Sequence, residues 1–277
     1  FDVLSLANNH ARDFGEEGRT ATMQTLTSAG IHHSGREGDF SSFDVKGLRV
    51  AVLAYAVTKN SNMLLDYAFS EQTVRDFAAT HDIVIVSFHG GAEGRDVTRL
   101  PFAEEEYYGE PRGDVVRFAR MVVDAGADLV IGHGPHVVRA MERYNDRLIA
   151  YSLGNFATYY GISVAGIKGI APILIATLDE EGRFRTWQGG IPGCRRPGQQ
   201  GPMPPGHGPG HRVPVAEPTN RGSPRRATAP GPREQGLDRH RLRLPESTEV
   251  TDRLPSAMAL ETSGGSGPEL PMQVVQP

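Results

Sequence analysis

Hydrophobic and polar positions along the first 192 residues follow two alternating patterns. Continuous apolar runs typical of buried strands occupy residues 3–7, 48–57, 83–88 and 128–131. Helix-compatible segments lie between them at 16–29, 71–80 and 115–125, and the first and last of these stop at Gly30 and Gly126. Strands that alternate with helices in this way predict an α/β layered domain.

A hairpin and a closing pair of strands are predicted near the end of this region. Asn145 and Asp146 separate the strand-like runs 137–144 and 148–153, and this dipeptide suits a tight turn. Two further strand-like runs, 170–178 and 184–187, are joined by a short polar turn. We therefore assign residues 1–192 to one domain.

Residues 193–277 have a different composition. All twenty aromatic residues lie at or before Trp187, whereas fifteen of the twenty prolines follow Pro192. Such a segment buries too little apolar surface to offset the entropy of ordering its backbone, so we expect a disordered tail. The abrupt change leaves a second explanation open, namely a shifted reading frame.

Charge and cysteine content exclude several classes of protein. Residues 1–192 carry a net charge of −7 and the tail +3, which gives no reason to expect nucleic-acid binding. Cys194 is the only cysteine, so neither an internal disulfide nor a C-x-x-C zinc site can form. Neither a signal peptide nor an apolar run of about 18 residues is visible within these 277 residues. Because the chain opens at Phe1 inside a strand-like run, we expect its domain to begin upstream.

Histidines recur where predicted strands end. The clusters are Asn8-Asn9-His10, His89-Gly90-Gly91 and Gly132-His133-Gly134-Pro135-His136. Parallel strands bring their carboxyl ends to one edge of a sheet, where open α/β folds bind ligands. Imidazole nitrogens and amide or carboxylate oxygens ligate Zn, Mn and Fe. The recurrence predicts a metal site at this edge.

Four motifs occur in an order that resembles a known family. They are Ser5-Leu-Ala-Asn-Asn-His10, Val86-Ser-Phe-His-Gly-Gly-Ala-Glu93, Gly126-Ala-Asp-Leu-Val-Ile-Gly-His-Gly-Pro-His136 and Tyr151-Ser-Leu-Gly-Asn-Phe156. Together they resemble the signatures of the CapA capsule-synthesis, or poly-gamma-glutamate, family. That family is similar to the calcineurin-like metallophosphatases. The resemblance implies an αββα sandwich, here incomplete at its N-terminus, that holds two divalent ions (Mn, Fe or Zn).

The resemblance also implies roles for particular residues. Asn9, His89, His133 and His136 would be metal ligands, and His10 would protonate the leaving oxygen during hydrolysis. Glu93 would orient a ligand or bind substrate, and Asn155 is assigned to substrate binding. The implied substrate is an anionic polymer or a phosphorylated small molecule, with other capsule-synthesis proteins as partners. Family likeness places the full-length protein at the bacterial membrane, outside the cytoplasm.

Departures from the family pattern keep other functions open. The Gly-Asp motif that supplies aspartate ligands is missing, His89-Gly90-Gly91 replaces the usual His-Trp-Gly, and His133 and His136 are one residue further apart than the usual pair. The chain could therefore be a non-catalytic fragment or a scaffold component of a polymer-synthesis complex. A general metallophosphodiesterase would use the same ligands on another substrate.

Each signal also has a plainer interpretation. Asn9 and His10 could cap the turn after a strand, and His89 or His136 could be a structural, hydrogen-bonded histidine. Two charged patterns look like solvent-exposed surface: Asp114 with Arg117 at helical spacing, and the acidic run 104–106.

Overall fold

The computed structural model of the chain describes residues 1–156 and 162–190, together with three short strands within 193–277. Those strands are Val215–Ala216, Ala257–Ala259 and Leu270–Val275. The other residues of that segment, and with them the prediction of a disordered tail, lie outside the described residues. The division into a domain and a tail therefore stays a prediction.

Fifteen strands and three α-helices make up the described structure. The helices are α1 (Gly15–Ser28), α2 (Tyr67–Ala78) and α3 (Val115–Ala125), with a 3₁₀ turn at Gly166–Gly169. The strands are β1 (Val3–Ser5), β2 (His32–Ser34), β3 (Ser41–Val45), β4 (Leu48–Ala56), β5 (Ile83–His89), β6 (Glu105–Tyr107), β7 (Glu110–Gly113), β8 (Leu129–His133), β9 (Met141–Tyr144), β10 (Arg147–Ala150), β11 (Ile173–Leu178), β12 (Phe184–Gly190), β13 (Val215–Ala216), β14 (Ala257–Ala259) and β15 (Leu270–Val275).

A seven-stranded sheet has the order β13-β9-β10-β8-β5-β4-β3. Its central strands β4, β5, β8 and β10 are parallel to one another, whereas β3 and β9 run antiparallel to their neighbours β4 and β10. The register of the parallel strands places Ala56, His89 and His133 side by side at their carboxyl ends. Two of the three predicted histidine clusters, those that contain His89 and His133, therefore meet where adjacent strands of this sheet end. The prediction is wrong for Asn8-Asn9-His10, which follows β1 in a second sheet.

A six-stranded sheet, in the order β12-β11-β15-β14-β1-β2, lies against the first one. Side chains alternate across each strand, so Ile83 and Ile85 of β5 face the second sheet while Val84 and Val86 face the helices. Burial of both faces explains why β5 is apolar along its length.

The helices cover the outer faces of the two sheets. The helix α3 packs its apolar face, including Phe118 and Val122, against the seven-stranded sheet together with α2. On the opposite side Leu26 of α1 packs against Leu4 and Leu6 of the β1 region. The four layers are thus helix, sheet, sheet and helix, and the predicted αββα sandwich is confirmed.

The prediction of solvent-exposed charge is wrong for Asp114 and Glu105, whereas Arg117, Glu104 and Glu106 are exposed. The Asp114 carboxylate accepts hydrogen bonds from the backbone N–H groups of Val116 and Arg117, so it caps α3 instead of pairing with the Arg117 side chain. Within the acidic run 104–106, Glu105 is buried against Arg139. A charged run can therefore contain one buried ion pair that sequence spacing does not reveal.

No helix in the parts of the chain that the structure describes is long and apolar enough to span a bilayer.

Candidate functional site

His89 and His133 lie side by side where the adjacent parallel strands β5 and β8 end. They are register partners, and their Nδ1 atoms are 3.0 Å apart. Both are buried, with 3% and 6% of their surface exposed. Ser87 lies two residues earlier on the same face of β5, with its Oγ 3.4 Å from Nε2 of His133. Two of the predicted ligands are therefore in direct contact.

Burial keeps both imidazoles neutral. Removal from water lowers the pKa of His133 to about 3, with a smaller contribution from the positive charge of His136. The pKa of His89 is held well below the usual histidine value, first by burial and then by electrostatic repulsion from protonated His133, Arg112, protonated His136 and protonated His10. Since neutral imidazole is the form that ligates metals, both side chains are available as ligands at neutral pH.

His136 lies beside this pair within a polar network. Its Nδ1 is 2.7 Å from Oδ1 of Asn155, and its Nε2 is 3.5 Å from Oε2 of Glu93. Arg112, which is 2% exposed, donates to Oε1 of Glu93 at 2.6 Å. The predicted substrate-binding residues Glu93 and Asn155 therefore lie on either side of the predicted ligand His136.

The end of β1 is packed close to the seven-stranded sheet. Ala7 forms a small buried cluster with Ala54 and Ala56 of β4, and these short side chains let the two strands approach closely. Asn9 and His10 lie two and three positions after Ala7, so they belong to the same end of the molecule as His89. The sandwich thus supplies site residues from both of its sheets.

His10 is exposed and is oriented by a carboxylate. Its Nδ1 is 2.9 Å from Oδ2 of Asp13, and 70% of its side chain is accessible. A positive charge on His10 also lowers the pKa of His89, as the last of the contributions after burial, His133, Arg112 and His136. Asn9 is half-buried, and no described hydrogen bond or ion pair joins its side chain to the histidines.

The histidine pair fits a divalent ion in chemistry and in spacing. Two nitrogens that bind the same ion at about 2.0–2.1 Å lie roughly 2.9–3.4 Å apart, for angles between a right angle and the tetrahedral angle. The 3.0 Å between the two Nδ1 atoms falls within this range. Nε2 of His89 is buried and has no hydrogen-bond partner among the described residues.

A larger ligand set is not seen in the part of the chain that the structure describes. No three His, Cys, Asp or Glu side chains there form a group that could hold an ion. The predicted two-ion centre stays a prediction.

A cavity of about 350 Å³ opens beside His10, between the end of β1 and α1. Its lining includes Ser5, Asn8, His10, Asp13, Phe14 and Arg19. Although several of these residues are polar, most of the accessible surface inside the cavity comes from their carbon atoms. Phe14, which also lines the cavity, is 90% exposed. The cavity therefore offers space for a group next to the predicted proton donor.

Three residues of the site are absent from the sequence-based prediction. Ser87 could have been found, because it precedes His89 by two positions and so shares its face of the strand. Asp13 could have been found from its spacing to His10. Arg112 gives no local signal, since it reaches Glu93 across 19 positions of sequence.

Comparisons with known proteins agree with the resemblance drawn from the motifs. The family model described as "Bacterial capsule synthesis protein PGA_cap" matches residues 1–160. The capsule biosynthesis protein CapA of Bacillus anthracis is 30% identical over 178 residues, which cover 56% of this chain and 40% of that protein. The PGA biosynthesis protein CapA of Bacillus subtilis strain 168 is 32% identical over 173 residues, covering 56% and 42%.

Among solved structures, the crystal structure of a 5'-nucleotidase precursor from Thermus thermophilus matches with a TM-score of 0.41 and 13% identity, covering 70% of this chain and 39% of that one. The chain spans about two fifths of the length of the curated relatives that it matches. The family model covers more than half of the chain, and its match includes all four motifs. This chain therefore belongs to the PGA_cap family of bacterial capsule synthesis proteins.

Proposed function

We propose that this chain carries part of a metal-dependent, hydrolase-like site that acts in the synthesis of an anionic capsule polymer such as poly-gamma-glutamate. The observation that carries the proposal is the buried, neutral pair of His89 and His133 at a shared sheet edge. Positive charges on His136 and His10 also lower the pKa of His89. Membership of the capsule synthesis family supports the polymer as the pathway's product, and a location outside the cytoplasm stays a prediction.

The residues divide into ion-holding and proton-delivering groups. His89 and His133 would hold a divalent ion through neutral nitrogens, with Asn9 and His136 as further ligands. A bound ion would lower the pKa of a water molecule and balance negative charge on a phosphoryl or similar group. Asp13 occupies Nδ1 of His10, which leaves Nε2 as the atom that delivers a proton to the leaving oxygen.

The cavity beside His10 suits the leaving part of the substrate. Its volume of about 350 Å³ falls within the range of small-molecule sites. A leaving group seated there would lie next to the proton donor. The exposed ring of Phe14 on the rim would contact an apolar part of that group.

One observation favours a second function, that of a non-catalytic scaffold in a polymer-synthesis complex. Two neutral imidazoles 3.0 Å apart also form a good N–H···N hydrogen bond, and such a pair stabilises the sheet edge without an ion.

A third alternative is a general metallophosphodiesterase. It would use the same residues as the proposed hydrolase and would differ only in its substrate.

Metal titration separates these functions. The full chain is stripped with a chelator and titrated calorimetrically with Zn²⁺ and Mn²⁺, and turnover is followed with a phosphodiester reporter. We expect His89→Ala and His133→Ala to lose metal, and His10→Ala to keep metal and lose turnover. His32→Ala is the matched control, because His32 is an exposed histidine on β2.

The outcomes distinguish the alternatives. Metal bound by the unsubstituted chain and lost from His89→Ala supports the ion site, and turnover that His10→Ala abolishes supports hydrolysis. Metal binding without turnover of any phosphoester favours the scaffold. If His89→Ala binds metal as tightly as His32→Ala does, the proposed ion site is wrong.

A further inference from the structure

Asn155 is fully engaged by the protein around it. It is 1% exposed. Its Nδ2 donates to the carbonyl oxygens of His136 at 3.3 Å and Lys168 at 3.2 Å, and its Oδ1 lies 2.7 Å from Nδ1 of His136. Both amide hydrogens and the amide oxygen are thus used within the protein, which leaves little capacity for a substrate contact.

These contacts fix which way the Asn155 amide points. In the opposite orientation Oδ1 would face two carbonyl oxygens, and three acceptors would meet without a proton among them. Nδ2 must therefore face the carbonyls, and Oδ1 must face the ring of His136. Since Oδ1 can only accept, the proton of that contact lies on Nδ1 of His136.

The backbone of His136 indicates that this arrangement is imposed. His136 has φ = +59°, in the left-handed region that non-glycine residues rarely adopt. Asn155 contacts both the carbonyl and the ring of this residue, so one side chain stabilises the strained backbone and orients the imidazole. The ring's other nitrogen, Nε2, then faces Oε2 of Glu93 across 3.5 Å.

We propose that Asn155 is a positioning residue that fixes the Nδ1–H tautomer of His136 and leaves the Nε2 lone pair facing Glu93, available to a cation. The proton on Nδ1 follows from contacts within the chain alone, whereas an unprotonated Nε2 belongs to the proposal. The use of Nε2 as a ligand rests on the proposed function. Asn155 would thus act on the site through His136 and make no contact with the substrate.

Nitrogen-15 NMR of the histidine rings tests the tautomer directly. Spectra of the metal-free full chain at about pH 8, where an ordinary imidazole is neutral, report which ring nitrogen carries the proton, and His136→Gln identifies the signals. We expect Nδ1–H in the unsubstituted chain and a gain of Nε2–H in Asn155→Leu. Asn155→Asp keeps an acceptor beside Nδ1, so we expect it to retain Nδ1–H even though its two donated bonds are lost. Ser152→Ala, which removes a different buried polar group, a hydroxyl, from the same segment, is the matched control.

Metal titration of the same variants tests the ligand role. Loss of an outer hydrogen-bond partner weakens metal binding by roughly 10–100-fold, so we expect Asn155→Leu to show that loss and Asn155→Asp to recover part of it. A neutral His136 that carries its proton on Nε2 in the unsubstituted chain overturns the proposal, even if Asn155→Leu does not fold. An unchanged tautomer in folded Asn155→Leu also overturns it. Failure of the proposed function looks different: the tautomer is as expected, but the unsubstituted chain binds no metal.

Discussion

At the scale of single residues, the buried pair of Arg139 and Glu105 holds the loop that carries Glu93. The two side chains are 0% and 5% exposed and make two parallel hydrogen bonds of 2.8 and 2.7 Å. Arg139 also donates to the backbone carbonyls of Ala92 and Val97, which lie within this loop before and after Glu93. Each charge thus has a partner, and the loop between β5 and β6 is tied to the connection after β8.

We predict that Glu105→Leu lowers the free energy of unfolding by about 3–5 kcal/mol, because Arg139 would be left as a buried, unpaired charge. Denaturant unfolding measures the loss. Glu106→Leu is the control, since Glu106 is exposed next to it, and a change within about 0.5 kcal/mol is expected there. Equal losses in the two variants would show that the pair does not stabilise the loop.

At the scale of elements, α3 begins at a strong capping residue. The Asp114 carboxylate accepts hydrogen bonds from the backbone N–H groups of Val116 at 3.1 Å and Arg117 at 2.9 Å. We predict that Asp114→Ala lowers the free energy of unfolding by about 0.5–2 kcal/mol. Asp76→Ala, an exposed aspartate inside α2, is the control and should be neutral or slightly stabilising because alanine favours helix. The two variants are compared by thermal and denaturant unfolding, and an equal effect would argue against the cap.

The sequence predicts those elements whose signal is local. The strands β4 and β5 are long apolar runs and α3 has a clear helical period, so their predicted and observed positions agree within two residues. The turn between β9 and β10 has positive φ at both Asn145 (48°) and Asp146 (60°), as a tight hairpin requires. Each of these features depends on neighbours within a few positions of the chain.

Elements held by distant contacts are harder to predict. The hairpin of β6 and β7 is rich in charge, and it is fixed by Arg139 bound to Glu105 and by Arg112 bound to Glu93. The partners in these pairs are 34 and 19 positions apart. The sequence pattern places the start of α2 four positions after Tyr67, because it does not reveal the cap formed by Asp66 and the N–H of Phe69.

The site shows the same division. His89 and His133 are predictable because each directly ends a buried strand. The orientation of Asn155 depends on the Lys168 carbonyl, which belongs to a separate turn. Sequence can therefore indicate which residues gather at the sheet edge, but not which of them contact each other.

At the scale of the whole molecule, the candidate site lies where the two sheets of the sandwich approach each other. His89 and His133 end strands of the seven-stranded sheet, whereas Asn9 and His10 follow β1 of the six-stranded sheet. An ion with ligands from both groups would connect the sheets. Binding to the native state alone stabilises it by about 2.7 kcal/mol at a free ion concentration about 100 times the Kd.

We predict that Zn²⁺ or Mn²⁺ slows amide hydrogen exchange in β5 and β8 and also in β1, because opening of the sandwich would break ligand contacts on both sheets. Hydrogen exchange of the full chain, with metal and with chelator, measures the effect strand by strand. His89→Ala should abolish the protection everywhere. Asn9→Ala should abolish it in β1 and leave part of it in β5, since the His89–His133 pair remains. Protection confined to β5 and β8 in the unsubstituted chain would mean that the ion belongs to one sheet, and the assignment of Asn9 as a ligand would then be wrong.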